Sequence, residues 1–149
     1  MRHFRPLLLL CICNAVVFNL FAEKFISLKS SDVNMRVGPG REYPVSWVLM
    51  RSGLPIMLLS EFGQWRKVQL QDGTQGWIHQ STISYKNTAM VTEDTVLYKS
   101  ASDRTPIATV QKGVIVICIG YNNGFVKVKS GMKGWIKSDK LWGIRKDDQ

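Results

Sequence analysis

Two stretches of the 149-residue chain repeat nearly the same phrase, QGWIHQSTI at residues 75–83 and KGWIKSDKL at residues 133–141. The offset between the two copies falls from 62 to 60 to 58 residues along the chain, which indicates shorter turns in the second copy. Self-similarity of this kind is typical of repeated structural units. The repeat therefore predicts two tandem modules, at about residues 29–84 and 91–142.

Isolated positions between the repeated phrases also correspond. Gly53 matches Gly113, and Trp65 matches Phe125, and in both copies the aromatic residue follows the glycine by twelve residues. A glycine and an aromatic at a fixed spacing indicate that the two modules share one fold.

Short strands separated by turns are expected in each module. The first contains SWVLM, PIMLLS, WRKVQL and GWIHQ, runs that are rich in β-branched and aromatic residues. Asp72-Gly73 and Ser130-Gly131 lie between such runs and predict hairpin turns, because these turns need a residue with positive φ. No stretch after residue 22 shows a convincing helical period. The expected fold class is all-β, with two tandem small β-barrels of five short strands each.

The N-terminal segment has the layout of a secretory signal peptide. Arg2 and Arg5 precede an uncharged apolar run that ends at Ala22. The alternative is an uncleaved membrane anchor, but the run is short for a span of about 20 residues. We expect cleavage after Ala22, export to the periplasm or the cell exterior, and no stable membrane span once the signal is removed.

The predicted organisation is a signal peptide at 1–22, a first module with its linker at 23–90 and a second, degenerate module at 91–149. Without the signal the chain has 18 basic and 11 acidic residues, a charge of +7. A basic exported protein can associate with anionic wall polymers, acidic peptides or lipid headgroups. The sequence pI of about 9.7 also fits nucleic-acid binding, but the export signal argues against that class.

Catalysis is not expected. His79 and Cys118 are the only histidine and cysteine after residue 22, so a metal site of His and Cys ligands cannot be assembled. Cys118 should point into the second barrel, whereas His79 belongs to the first, which disfavours a Cys-His hydrolase. We therefore expect no enzyme activity, no metal and no cofactor.

Two apolar runs, GLPIMLLS and GVIVICIG, leave hydrophobic side chains on both faces of their strands. Alternation directs Ile56, Leu58, Val116 and Cys118 toward the cores. The outward-facing apolar residues would then form an interface between the modules or with a partner protein. These residues are Met57, Leu59, Ile117 and Ile119.

The first module resembles bacterial SH3 (SH3b) domains. The resemblance lies in VNMRVGPGREYPV, in the step from Gly53 to Trp65 and Val68, and in DGTQGWIHQSTI. The second module keeps the later motifs but has Leu-Tyr-Lys at 97–99 in place of Met-Arg-Val at 35–37. The resemblance implies an SH3-like barrel and a non-catalytic binding or targeting role at the cell envelope. Its implied ligand is peptidoglycan or an extended peptide, and the alternative is an adaptor that docks on an envelope protein.

A ligand groove is expected between the long first loop and the Trp65 end of the sheet, as is usual for SH3-like barrels. The candidate residues are Arg36, Glu42, Tyr43, Trp47 and Trp65. Aromatic residues with one polar edge suit sugar faces or extended peptides. Tyr43 is the best candidate contact, because its loop segment is missing from the second copy.

Packing roles compete with binding roles at two of these aromatic positions. Trp47 falls opposite Ile107 in the repeat, which favours core packing there. Trp65 falls opposite Phe125, which fits an apolar plug as well as a groove wall.

Lysines alternate in the second module at Lys127 and Lys129, with Lys133 and Lys137 close by in sequence. They fit either a basic stripe facing an anionic polymer or edge-strand lysines that discourage pairing with other chains. The second interpretation is favoured at this point.

Overall fold

The computed structural model describes residues 23–145, which fold into fourteen strands and two short 3₁₀ helices. The predicted signal peptide lies outside the described residues. The first sheet contains β1 (Lys24–Leu28), β2 (Val33–Arg36), β3 (Val45–Leu49), β4 (Pro55–Phe62), β5 (Trp65–Gln69), β6 (Gln75–His79) and β7 (Ile83–Ser84), with the helix η1 (Gln80–Thr82). The second contains β8 (Thr88–Val91), β9 (Thr95–Tyr98), β10 (Pro106–Val110), β11 (Ile115–Asn122), β12 (Phe125–Ser130), β13 (Met132–Lys137) and β14 (Leu141–Trp142), with the helix η2 (Ser138–Lys140).

The two sheets have the same antiparallel topology. The first runs β3-β2-β6-β5-β4-β1-β7 and the second β10-β9-β13-β12-β11-β8-β14, so each strand has a counterpart seven places later. The all-β fold class with two tandem SH3-like units is confirmed. The expectation of five strands missed the outer pairs β1 with β7 and β8 with β14, each of which ends in a strand of two residues.

The boundary between the modules lies earlier than predicted. Strand β8 (Thr88–Val91) pairs with β11 and β14, both in the second sheet. Residues 88–90 therefore belong to the second module. Only residues 85–87 connect the sheets, because β7 ends at Ser84.

Each module has its own hydrophobic core, built from alternate residues of its strands. The first core contains Met35, Ile56, Val68 and Ile78, all completely buried. The second contains the equivalent residues Leu97, Val116, Val128 and Ile136, together with Cys118. The inward orientation predicted for Ile56, Val116 and Cys118 is confirmed.

The glycine of the repeated Gly-Trp-Ile phrase has a packing role. A Cβ on Gly76 would lie 2.5 Å from Cγ of Met35, and a Cβ on Gly134 would lie 2.5 Å from Cγ of Leu97. Any larger residue would displace a core side chain in either module. The tryptophan after each glycine lies on the outer, half-buried face, and the isoleucine after it is fully buried.

The predicted hairpin turns are also confirmed. Gly73 and Gly131 have φ values of 88° and 75°, in the left-handed region. In the first hairpin the Asp72 carboxylate accepts a hydrogen bond of 2.9 Å from the Thr74 amide. This bond lowers the pKa of Asp72 below its ordinary value, because it stabilises the charged carboxylate.

The modules contact each other through the turns that precede β4 and β11. Arg51 Nη2 donates to the carbonyl of Gly113 at 2.7 Å, and Thr88 Oγ1 donates to the carbonyl of Gly53 at 2.8 Å. Both hydrogen bonds join one barrel to the other, so the modules are held in a defined arrangement.

Apolar contacts extend the same interface. The rings of Phe25 and Trp142 meet edge to face with centroids 5.0 Å apart. A Cβ on Gly143 would lie 2.6 Å from Cβ of Pro55, so the chain after β14 packs closely against the first module.

The residues predicted to form an interface between the modules or with a partner fall into two groups. Leu59, Ile117 and Ile119 are 39–47% exposed, so a partner protein remains the predicted contact for these three residues. Met57 is half-buried and lines a cleft that Phe25 and Trp142 also line. The three-residue connection brings only the beginnings of β4 and β11 together, so the later outward residues of these strands stay exposed.

The lysines at 127 and 129 are not on an edge strand. Strand β12 lies between β11 and β13 and pairs with both along its length. The edge-protection interpretation is therefore wrong for these residues, since a central strand has no free edge.

Within residues 23–145, no helix is long and apolar enough to cross a bilayer.

Candidate functional site

An open groove of about 300 Å³ lies on the first module, next to the loop that joins β2 and β3. Its walls come from the turn before β2, from β2, from the loop and from the end of β6 with η1. The lining residues are Asp32, Val33, Asn34, Arg36, Arg41, Trp65, His79, Ser81 and Thr82.

The loop at residues 37–44 is folded by its own backbone and by Arg36. The amide of Val37 donates to the carbonyl of Pro44 at 3.1 Å, which closes the base of the loop. Arg36 Nη1 donates to the carbonyls of Tyr43 at 2.7 Å and Arg41 at 3.2 Å. Arg36 therefore lines the groove and also fixes the loop beside it.

Tyr43 and Glu42 support the loop and do not line the groove. The Tyr43 ring lies against Gly38, and the Glu42 carboxylate lies against Gly40, so closely that neither glycine has room for a Cβ. The Tyr43 side chain remains 40% exposed at the loop surface. Close packing by Tyr43 and Glu42 thus explains why Gly38 and Gly40 of the Gly-Pro-Gly segment are glycines.

Trp65 and His79 form the aromatic end of the groove. They are cross-strand partners on β5 and β6, and their rings meet edge to face with centroids 5.4 Å apart. The His79 ring nitrogens lie 2.7 Å from Ser81 Oγ and 3.1 Å from Gln64 Oε1, so the imidazole is held in place. Of the two roles proposed for Trp65, the structure supports the groove wall.

Trp47 lies away from the groove and outside the core. It is 58% exposed on the edge strand β3, where its cross-strand partner is Met35 of β2. In the second module Leu97 occupies the position of Met35, and its partner is Ala108. The true counterpart of Trp47 is therefore Ala108 and not Ile107, and the predicted core role is wrong.

The charge of the groove is mixed, with an excess of cations. Arg36 and Arg41 contribute guanidinium groups, and Asp32 contributes one carboxylate that accepts a hydrogen bond from Ser31 Oγ at 3.0 Å. Ser81 and Thr82 add hydroxyl groups, although Thr82 Oγ1 already donates to the carbonyl of His79 at 2.7 Å. Such a site can hold a polar, extended ligand that carries a carboxylate beside an apolar segment.

The second module fills the equivalent position with its own side chains. Phe125 replaces Trp65, and Tyr98 replaces Arg36 as the partner of the repeated tryptophan. The rings of Tyr98 and Phe125 meet edge to face at 5.9 Å, and Arg104 Cζ lies 5.6 Å from the centroid of Phe125. Phe125 is only 6% exposed as a result.

Of the five predicted groove residues, the structure brings Arg36 and Trp65 together in the groove and leaves Glu42, Tyr43 and Trp47 outside its lining. Reasoning from the sequence missed Asp32, Asn34, Arg41, His79, Ser81 and Thr82. One usable signal was present, because the polar turn after each Gly-Trp-Ile phrase differs, Ser81 in the first copy and Asp139 in the second. A difference inside a repeat marks a position where the two modules can act differently.

His79 and Cys118 lie in separate barrels, as expected. Cys118 is 5% exposed in the second core, and its amide donates to the carbonyl of Asn87 at 2.9 Å. Among residues 23–145, no group of three or more His, Cys, Asp or Glu side chains is placed to hold a metal ion.

Residues 29–84 match the family model described as the bacterial SH3 domain. The match thus covers the strands β2 to β7 of the first barrel, and the second barrel repeats the strand order of the first. The resemblance seen in the sequence of the first module is confirmed.

Two solved structures are similar to this chain. NlpC2 from Trichomonas vaginalis is 17% identical with a TM-score of 0.37, over 80% of this chain and 48% of that one. NlpC1 from the same organism is 14% identical with a TM-score of 0.34, over 80% of this chain and 45% of that one. This chain thus spans about half the length of either structure. No curated protein matches it significantly.

Proposed function

We propose that the protein is a non-catalytic binding module of the bacterial cell envelope, exported to the periplasm or the cell exterior, whose first SH3 domain holds an extended peptide of peptidoglycan. The observation that carries this proposal is the open groove beside Trp65 in a domain of the bacterial SH3 family. The export signal and the basic charge expected after its removal are consistent with an anionic wall as the surroundings.

The groove is suited to a peptide with a free carboxylate. Trp65 offers a half-buried aromatic surface against which an apolar side chain can pack. Arg41 is exposed at the opposite wall, and a guanidinium is well shaped to donate two parallel hydrogen bonds to a carboxylate. Arg36 is less available, since its Nη1 already holds the loop.

Sedimentation with insoluble peptidoglycan tests the proposal. Protein that begins at Glu23 contains every strand of both sheets, and we expect it to be retained at modest salt. Trp65→Ala and Arg41→Gln should each lower the retained fraction several-fold. Trp47→Ala is the matched control, because it removes an exposed tryptophan of the same domain that does not line the groove.

Two results would contradict the proposal. One is absence of retention for the unmodified protein, and the other is an equal loss in Trp47→Ala and Trp65→Ala. The same samples test the proposal that the protein is not a catalyst. We expect no soluble wall fragments in the supernatant after long incubation.

A further inference from the structure

The outer surface of the second barrel carries a group of exposed lysines that lies outside the proposed groove. On this surface Lys129 of β12 lies between Ile117 of β11 and Lys133 of β13. The next row along contains Lys127 and its cross-strand partner Trp135. We call Lys127, Lys129 and Lys133 the lysine face; all three side chains are exposed.

Lys129 and Lys133 are directly opposite each other on neighbouring antiparallel strands. Like charges in this arrangement destabilise a sheet, because cross-strand side chains are only about 5 Å apart at Cβ. The lysines lie within the sheet, so protection of a strand edge does not account for them. An anion bound between them would offset the repulsion.

The first module shows that the fold does not require this pair. The equivalent cross-strand residues are Gln69 and Gln75, and Gln75 Nε2 donates to Gln69 Oε1 at 2.8 Å. A neutral, hydrogen-bonded pair therefore fits the same position of the same sheet. The lysine pair is a property of the second module alone.

Three carboxylates of the second module have partners outside the lysine face. Glu93 pairs with Lys140 at 2.6 Å, Asp94 accepts from the Lys112 amide at 2.8 Å, and Asp103 accepts from Thr105 Oγ1 at 2.6 Å. Within residues 23–145, neither of the two ion pairs, Arg66 with Glu61 and Lys140 with Glu93, includes a residue of the lysine face. The face is thus available to an external anion.

Exposed aliphatic side chains border the lysines. Ile117 is 44% exposed and Ile119 is 47% exposed. Lys127 Nζ lies over the ring of Trp135, 5.8 Å from its centroid, so an aromatic surface lies beside this ammonium group. A soluble polyanion uses only the charges of such a surface, whereas an anionic lipid surface uses both the charges and the apolar groups.

We propose that the lysine face, with Ile117 and Ile119, docks on the surface of an anionic phospholipid membrane. The lysine ammonium groups contact lipid phosphates, and the aliphatic side chains enter the boundary between headgroups and acyl chains. This site is independent of the peptidoglycan groove, because the groove residues belong to the first barrel. The protein would then hold the wall with one module and the membrane with the other.

Vesicle co-sedimentation tests this proposal, again with the protein that begins at Glu23. Vesicles of phosphatidylglycerol and phosphatidylcholine in equal parts should bind the protein, and vesicles of phosphatidylcholine alone should not. The double variant Lys129→Gln/Lys133→Gln copies the pair of the first module and is expected to fold. It should bind the anionic vesicles at least tenfold more weakly, since each lysine near such a surface contributes about 1 kcal/mol.

Lys24→Gln/Lys29→Gln is the charge-matched control, because it removes two exposed lysines of the first barrel. Its affinity for the anionic vesicles should fall by less than threefold. Ile117→Ser/Ile119→Ser should also weaken vesicle binding while leaving the charge unchanged. Thermal unfolding of every variant checks that the fold is intact.

The outcomes separate this proposal from its rivals. Equal losses of vesicle affinity in the two lysine variants would overturn it in favour of attraction by the net charge. Equal binding to anionic and neutral vesicles would overturn it in favour of non-specific adsorption. Binding to soluble inorganic polyphosphate without binding to vesicles would overturn it in favour of a polymer site. Trp65→Ala should leave vesicle binding unchanged, so failure of the peptidoglycan proposal is a distinguishable result.

Discussion

The two barrels have the same strand order and differ at the surfaces that could bind something. In the first, the position beside Trp65 is an open groove, and in the second Tyr98 and Arg104 cover Phe125. Conversely, the neutral pair Gln69 and Gln75 of the first is the charged pair Lys129 and Lys133 of the second. A repeated scaffold has thus been given different chemistry in each copy, with the cores left equivalent.

A third difference lies beneath β10. A cavity of about 380 Å³ in the second module reaches the core residues Val116 and Val128, and Ser130 lies at its wall. The equivalent residue in the first module is Leu70, which packs against the core. The second module therefore has open space beside Ser130, where the first has a leucine that packs on its core.

The largest expected effect comes from the aromatic pair at the groove position. Phe125→Ala removes a buried ring and should lower the free energy of unfolding by about 3–5 kcal/mol. Trp65→Ala should cost clearly less, since Trp65 is half-buried, and should lower peptidoglycan retention several-fold. Urea denaturation of both variants measures the two losses of unfolding free energy. Equal losses would show that the rings of Trp65 and Phe125 contribute equally to stability.

The core equivalents Met35 and Leu97 test whether the modules unfold together. Met35→Ala and Leu97→Ala should each lower the free energy of unfolding by about 2–5 kcal/mol. Because hydrogen bonds and the Phe25–Trp142 contact join the barrels, we expect one cooperative transition in both variants. Denaturation followed by tryptophan fluorescence and by amide exchange of Val68 and Val128 checks this; two separate transitions would show independent modules.

Exchange of the residues at 70 and 130 tests the cavity. Ser130→Leu should stabilise the second module by about 0.5–2 kcal/mol, because the leucine can fill apolar space. Leu70→Ser should destabilise the first, since it removes a side chain that packs on the core. Thermal unfolding measures both. A destabilising Ser130→Leu would show that the cavity cannot admit the leucine.

The smallest effect concerns acid stability, through one loop aspartate in each module. Hydrogen bonds from Thr74 lower the pKa of Asp72, and hydrogen bonds from Thr105 lower the pKa of Asp103. A carboxyl whose folded-state pKa is lowered stabilises the fold above its unfolded pKa, and that stabilisation is lost as the pH falls through the folded value.

Asp72→Asn and Asp103→Asn should therefore flatten the dependence of the melting temperature on pH below about 4. Both effects should be small and similar, because both carboxylates are exposed. A series of melting temperatures from acid to neutral pH makes the measurement. An unchanged profile in either variant would show that its hydrogen bond is not maintained in solution.

Much of the fold could be predicted because local patterns set it. The repeat, the alternation of apolar residues and the Asp-Gly and Ser-Gly turns predicted the barrels, the cores and the hairpins. The outer strands β1 and β8 were missed because their partners β4, β7, β11 and β14 are distant in sequence. Two of the nine lining residues of the groove, Arg36 and Trp65, were predicted, because they stand in recognisable motifs. Asp32, His79 and Ser81 come together only when the barrel closes.

The sequence by itself determined that this protein has two equivalent barrels, because backbone turns and apolar alternation are local properties repeated in both copies. The tertiary structure alone decided which surfaces are open. A groove is open or filled, and a lysine is central or at an edge, according to side chains that distant strands bring within a few ångströms. Those distances follow from strand pairing and from the three-residue connection between the barrels.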